Sequence, residues 1–214
     1  MFATSAIGAS LDDLSNRDAT SGLKAALEKG SAAAVAKLGV ENGFLNNALV
    51  RIELPRVLER ARPLLQLTGK ARQLDDLVVS MNRAAESAVP MAKPLLLNAV
   101  RSLTVEDAKN ILTGGDTSVT DFFRERTSAE LSVKFLPIVR RVTDRSDLSA
   151  KFNGVMGKVS RMGLETRQAR VEEYVTERAV DGLFVMIAEE ERKIRRDPIG
   201  AGSKIIGKVF GFLQ

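Results

Sequence analysis

The stretch of residues 75–116 constrains the fold most, because it combines the most apolar helical face in the chain with clear signals for where helices begin and end. Its first part predicts a helix over residues 72–87. Apolar residues spaced three or four apart, the period of an α-helix, form the expected buried face: Leu74, Leu77, Val78, Met81 and Ala85. Val79 and Ala88 widen this face, which predicts a helix surrounded on most sides.

Two kinds of helix boundary follow in the same stretch. Pro90 and Pro94 predict a break or an offset, since proline lacks the amide hydrogen that an interior helical residue donates. A second apolar helix is expected over residues 95–103. Thr104 and Asp107 then form a capping box, in which each side chain accepts a hydrogen bond from the other residue's amide. With the glycine pair at 114–115 as a stop, the pattern predicts a short helix over residues 105–113.

The same reasoning predicts helices over most of the remaining chain. They are expected over residues 15–38, 56–67, 148–162 and 171–196. Pro63 and Pro137 lie inside periodic apolar segments, and we expect Pro63 to kink or divide its helix and Pro137 to kink its helix.

The segment after the glycine pair carries further start signals. Asp116 or Ser118 is expected to cap the next helix. Thr127 and Glu130 form another capping box, which predicts a new helix start there.

The chain as a whole is predicted to be all-α, a single bundle-like domain of about eight to ten helices with proline-induced breaks. Residues 1–14 are expected to be poorly ordered, residues 15–198 to form the helical domain, and residues 199–214 to form an amphipathic tail with Lys204 and Lys208 opposite its apolar side. Residues 49–54 alternate apolar and charged side chains. Because a lone strand has nothing to pair with, we expect this segment to lie extended across helices.

Composition argues against most catalytic chemistry. The chain has no His, Cys or Trp, which removes the commonest general base, the thiol nucleophile and the commonest zinc ligands. Glu189, Glu190 and Glu191 point in three directions on a helix, so we predict a solvated face rather than a metal site. The sequence therefore predicts a protein that is not an enzyme and needs no cofactor or metal.

Charge is distributed unevenly along the chain, whose net charge is +5. Residues 137–170 carry eight basic and three acidic side chains, whereas residues 171–197 carry eight acidic and five basic ones. The basic segment has no aromatic residues interleaved with arginine, so we expect no nucleic-acid partner. No apolar run approaches the roughly 20 residues that a membrane-spanning helix needs.

Two sets of side chains allow either a structural or a ligand-binding interpretation. Asn82, Arg83 and Glu86, with Asp75 and Asp76, could form an internal polar network or hold a ligand head group. The phenylalanine and methionine residues could be core alone or line a lipid-sized cavity. The residues predicted to bind a ligand are Met81, Asn82, Arg83, Phe122, Phe123, Phe135, Tyr174, Leu183, Phe184 and Ile187.

A series of segments resembles a bacterial domain-of-unknown-function family of exported helical proteins. The resemblance is carried by residues 15–38, 43–47 (GFLNN), 52–55 (IELP), 75–77 (DDL), 81–86 (MNRAAE), 92–94 (AKP), 104–116, 134–137 (KFLP) and 181–198. It implies a periplasmic or outer-membrane-associated location. It implies no activity and transfers no catalytic residue.

Together these observations favour a periplasmic protein that holds a lipid or sterol-like molecule between helices for transport or storage. The alternative is a non-enzymatic module that interacts with itself or with envelope proteins through its charged faces. The tail is expected to pack on its own body or on a second copy, with contact to a membrane or an envelope protein as a further option.

Overall fold

The computed structural model describes residues 16–67, 69, 71–161 and 170–197, which form eight α-helices and no strand. The helices are α1 (Asn16–Leu38), α2 (Arg56–Leu67), α3 (Ala71–Ala88), α4 (Ala92–Arg101), α5 (Val105–Thr113), α6 (Ser118–Arg145), α7 (Leu148–Arg161) and α8 (Val171–Arg196). The predicted all-α class is confirmed. Within the described ranges, no helix has the length and apolar character needed to cross a membrane. The expected N-terminal segment and the amphipathic tail lie outside the described residues.

The capping box predicted for α5 is confirmed. The Thr104 hydroxyl accepts a hydrogen bond from the Asp107 amide at 3.1 Å, and the Asp107 carboxylate accepts one from the Thr104 amide at 3.0 Å. The Thr104 amide lowers the pKa of Asp107. Arg126 of α6 adds an ion pair to the same carboxylate at 3.1 Å, which ties the start of α5 to its neighbour.

The helix start predicted at Thr127 is wrong, because α6 runs without interruption from Ser118 to Arg145. The Thr127 hydroxyl is buried and donates to the carbonyl oxygen of Phe123, one turn earlier, instead of capping a new helix. Pro137 also lies inside α6 without dividing it. A capping-box pattern inside a long apolar repeat therefore does not mark a boundary here.

Three smaller expectations also need correction. Pro63 does not divide α2; the residue is exposed, where water can solvate the carbonyl group it leaves unpaired. Helix α4 begins at Ala92 and includes Pro94, because the first turn of a helix does not use its amide hydrogens. Val79 is 41% exposed, so α3 has a free side, whereas Ala88 is buried as expected.

Helix α3 lies at the centre of the bundle and contacts α2, α6, α7 and α8. Helices α6 and α8 lie alongside each other over the longest shared surface, and α1 packs on α4, α5 and α8. Five phenylalanines are completely or almost completely buried: Phe44, Phe123, Phe135, Phe152 and Phe184. The helices thus share one continuous apolar core.

The connection between α1 and α2 is held against the bundle. Its residues 51–55 are extended without forming a strand, and Ile52 and Leu54 are buried while Arg51 and Glu53 are exposed. The segment was predicted to be extended over residues 49–54; Leu49 and Val50 instead lie in a turn, and the predicted alternation of exposed and buried side chains holds over residues 51–54. Alternating burial arises because one side of an extended chain faces the helices and the other faces water.

Gly182 of α8 allows this connection to pack closely. A Cβ atom at residue 182 would lie 2.7 Å from Cε1 of Phe44 and 3.3 Å from Cβ of Val50. We expect Gly182→Ala to lower the free energy of unfolding by about 1–3 kcal/mol, since the buried Phe44 ring would have to move. Chemical denaturation measures this change.

The matched control is Gly154→Ala in α7, where an added Cβ meets no atom within 4 Å. We expect this variant to be neutral or stabilised by up to about 1 kcal/mol, because alanine has the higher helix propensity. Equal destabilisation by both substitutions would contradict the close packing of Phe44 on α8.

Candidate functional site

The residues predicted to bind a ligand lie mainly on α3, α6 and α8 and face one another in the core. Buried among them are Met81, Asn82, Phe122, Phe123, Phe135, Leu183, Phe184 and Ile187. Arg83 and Tyr174 are partly exposed. A pocket beside Phe123 and Ile187, between α1, α6 and α8, has a volume of about 20 Å³, room for about one water molecule. The predicted residues are therefore brought together as packed core.

Asn82 joins α3 to the extended segment. Its side-chain oxygen accepts from the amide of Ile52 at 2.9 Å, and its side-chain nitrogen donates to the carbonyl oxygen of Ile52 at 2.9 Å and to that of Val78 at 2.7 Å. Asn82 is fully buried. The side chain thus replaces the strand partner that the extended segment lacks.

Glu86 holds the turn that precedes this segment. One oxygen of its buried carboxylate accepts hydrogen bonds from the amides of Phe44 and Leu45, at 3.0 and 3.1 Å. The other oxygen pairs with Arg83 at 2.7 Å. A carboxylate with these partners is a structural cap for the turn, and its remaining hydrogen-bonding capacity is small.

Arg83 extends the same network to the surface. It donates to the side-chain oxygens of Glu41 at 3.1 Å and Asn42 at 2.9 Å, and Asn42 has a positive φ of 67°. Asp75, expected in this network, instead pairs with Arg62 of α2 at 2.9 Å. The internal polar network is therefore real, and its partners are backbone and side chains of the α1–α2 connection.

Tyr174 has a comparable structural contact. Its hydroxyl donates to the carbonyl oxygen of Glu53 at 2.9 Å, which fixes the extended segment to α8. Burial raises the pKa of the Tyr174 phenol. Arg178 lies over its ring at 5.6 Å from the centroid.

Glu191 is a central residue that sequence reasoning missed. It was expected on a solvated face, yet it is 4% exposed. Its carboxylate accepts from the amides of Val119 and Thr120, both at 3.1 Å, and from the Thr120 hydroxyl at 3.0 Å. Glu191 therefore caps α6 from α8, which corrects the expectation that Asp116 or Ser118 would do so. Glu191 lies four residues after Ile187 and seven after Phe184, so the helical period of this apolar face could have distinguished it from the other two acids.

Arg195 completes this cap one turn later. It pairs with Glu191 at 3.0 Å and donates to the Ser118 hydroxyl at 2.7 Å and the Ile111 carbonyl oxygen at 3.2 Å. One ion pair thus joins the end of α5, the start of α6 and the last turns of α8. These contacts give Glu191 a structural role. Glu86 has the same kind of role in the α1–α2 connection.

The surface groove between α6 and α8, here called the α6/α8 groove, is the candidate site that these contacts leave accessible. Its volume is about 430 Å³. Helix α6 contributes Arg124, Ser128, Ser132, Val133 and Leu136, and α8 contributes Glu173, Thr176, Glu177, Val180 and Asp181. Val133 is 69% exposed. One cationic and three acidic side chains thus surround an apolar floor.

Thr176 is the unusual polar residue of this groove. It is 5% exposed, and within the described ranges its hydroxyl oxygen has no hydrogen-bond partner. Buried hydroxyls normally have one. The opposite rim is different, because Arg124 lies 4.6 Å over the Phe184 ring and pairs with Asp181 at 3.4 Å.

Comparison with known protein families gives a match over most of the chain. The model of DUF4197, a family of proteins of unknown function, matches residues 13–211. The chain belongs to this family. No curated protein and no solved structure matches it. The DUF4197 match spans α1 to α8 and continues beyond the last described residue, Asp197.

The residues that line the candidate site of this DUF4197 member are not those predicted to bind a ligand. Arg83 and Asn82 bind their own chain, and Tyr174 does so as well. None of the ten predicted residues lines the α6/α8 groove. Neither Val133 nor Thr176 carries a sequence signal that would reveal the groove without the pairing of α6 with α8.

Proposed function

We propose that this protein is a non-enzymatic binding module whose α6/α8 groove receives an amphipathic helix of a partner protein. The observation that carries the proposal is one surface that combines an exposed apolar floor with a mostly acidic rim. A partner helix would place apolar residues on Val133, Leu136 and Val180. Its lysine or arginine residues would face Glu173 and Glu177.

The dimensions of the groove agree with a short helix. Its lining on α6 extends from Arg124 to Leu136, about 18 Å at 1.5 Å per residue. A partner helix of about 12 residues has that length.

Selection of helical peptides from a display library tests the proposal, with counter-selection on the variant Val133→Lys. Val133 is 69% exposed, so lysine there leaves the core unchanged while it introduces a positive charge on the groove floor. We expect selected peptides to carry lysine or arginine beside apolar residues three or four apart. Their Kd should rise at least about tenfold on Val133→Lys.

Val79→Lys is the matched control, since Val79 is an exposed valine on α3 and the charge change is the same. It should bind the selected peptides as the unmodified protein does. Binding should also weaken as ionic strength rises, because the rim charges are exposed. Equal binding by Val133→Lys, or selection that yields no groove-dependent peptide, would argue against the proposal.

A second candidate function is binding of an apolar small molecule, a lipid or sterol-like ligand that the protein transports or stores. The apolar floor of the α6/α8 groove favours it, and a volume of about 430 Å³ lies in the range of small-molecule sites. Salt separates the two candidates, since apolar ligand binding should change little at high ionic strength.

The resemblance to exported proteins further supports a periplasmic setting, and we propose that the module works in the cell envelope, with an envelope protein as partner. Fractionation of cells that express the complete gene product tests this location. Recovery in the cytosolic fraction alone would contradict it.

A further inference from the structure

We infer that two copies of this protein associate through the exposed face of α6, with their two α6 helices antiparallel. The α6 outer face consists of residues at alternating intervals of four and three, which places them on one side of the helix: Arg126, Glu130, Val133, Pro137, Arg140 and Asp144. All six residues are exposed. Of these six, Val133 alone lines the α6/α8 groove, so the inference goes beyond the proposed function and does not depend on it.

The charges of the α6 outer face are complementary to those of the same face turned end to end. Glu130 and Arg140 lie five residues before and after position 135, and Arg126 and Asp144 lie nine residues before and after it. In an antiparallel helix pair centred at this position, Glu130 of each copy therefore faces Arg140 of the second copy. Arg126 faces Asp144 in the same way. A parallel pair in register would place each charge opposite its own kind, which favours the antiparallel arrangement.

The centre of the α6 outer face is apolar. Val133 is 69% exposed, and Pro137 is also exposed. These two residues lie two positions before and after the centre, so Val133 of one copy meets Pro137 of the second copy. Their contact removes apolar surface from water. The apolar centre thus contributes to affinity, while the charges on either side set the direction of the helices.

The charged side chains of this face are available to a second copy. Among the described residues, the side chains of Glu130, Arg140 and Asp144 form no ion pair. Arg126 pairs with Asp107 at 3.1 Å, yet 44% of its side chain stays exposed. Because a guanidinium has five N–H donors, Arg126 has donors left for a second carboxylate. These exposed charges make the association sensitive to salt.

Charge reversal tests the inference, by sedimentation velocity of the full chain over a range of concentrations at low ionic strength. We expect a monomer–dimer equilibrium that ends at the dimer, because a two-fold interface is closed. Glu130→Arg and Arg140→Glu, each alone, should raise the dimer Kd at least about tenfold, since like charges then face each other at two symmetric contacts. An equimolar mixture of these two variants should form heterodimers with about the original Kd, because both contacts then pair opposite charges.

Glu28→Arg in α1 and Arg60→Glu in α2 are the matched controls, since both residues are exposed and the changes in charge are the same. They should leave the dimer Kd unchanged, both singly and mixed, and circular dichroism checks that all four variants keep their helix content. A protein that stays monomeric, oligomers larger than a dimer, or a dimer insensitive to the two α6 substitutions would overturn the inference. A mixture of the two α6 variants that stays monomeric would overturn it as well.

Discussion

Replacing Glu191 with alanine is expected to lower the free energy of unfolding by about 3–5 kcal/mol, the largest effect of a single polar substitution that we predict. The change removes the acceptor for the amides of Val119 and Thr120 and leaves Arg195 without its 3.0 Å ion pair. A buried donor without a partner has lost its hydrogen bonds to water and forms none inside the protein, which destabilises the folded state. Denaturant titration followed by circular dichroism measures the loss.

Glu189→Ala is the control, because it removes the same type of side chain from the same helix. Glu189 is paired with Arg192 near the surface and is 30% exposed at its side chain. Its replacement should change stability by no more than about 0.5 kcal/mol. If the Glu191 and Glu189 variants differ by less than about 1 kcal/mol, Glu191 does not cap α6 in the way described.

Replacing Asn82 with alanine is expected to lower the free energy of unfolding by about 2–4 kcal/mol. Both the amide and the carbonyl group of Ile52 lose their partner inside the protein, and no strand lies beside them to replace it. Hydrogen–deuterium exchange measures the local part of the effect. The Ile52 amide should exchange much faster, at conditions where the amides of α8 remain protected.

Asn153→Ala in α7 is the matched control, since Asn153 is exposed and lies in a helix. It should be neutral or slightly stabilising. Unchanged exchange at Ile52 in the Asn82 variant would show that the extended segment is held by its apolar side chains alone.

Helix boundaries were predictable where a local signal decides them. The capping box of Thr104 and Asp107 acts within four residues, and the predicted and observed limits of α5 agree. The capping-box signal at Thr127 was misleading because it competes with tertiary packing, and Pro63 and Pro137 lie inside α2 and α6 without dividing them. When buried residues before and after such a signal hold the helix against the core, one altered hydrogen bond does not end the helix.

The polar contacts between elements were harder to predict than the helices. The sequence places Asn82 and Glu86 on a helix with a broad apolar face, which correctly indicated an internal polar network. Its partners, such as the amide of Phe44, lie about 40 residues earlier and carry no side-chain signal. Glu191 shows the same limit, because its partners are backbone groups of α6.

The candidate site was least predictable. Phenylalanine and methionine composition cannot separate a packed core from a ligand cavity, so the ten predicted residues identified the interior of the bundle. A groove depends instead on which helices are neighbours, and the pairing of α6 with α8 joins residues about 45 positions apart, such as Val133 and Thr176. That pairing has no local sequence signature.

Amide chemical-shift mapping tests the central claim most directly. The ¹⁵N-labelled full chain is titrated with a helical peptide of about 12 residues that has leucines on one face and lysines beside them. We expect shifts concentrated at Ser128, Ser132, Thr176 and Val180, along both walls of the α6/α8 groove. Shifts centred on core residues such as Phe135, or no saturable shift at the groove, would contradict it.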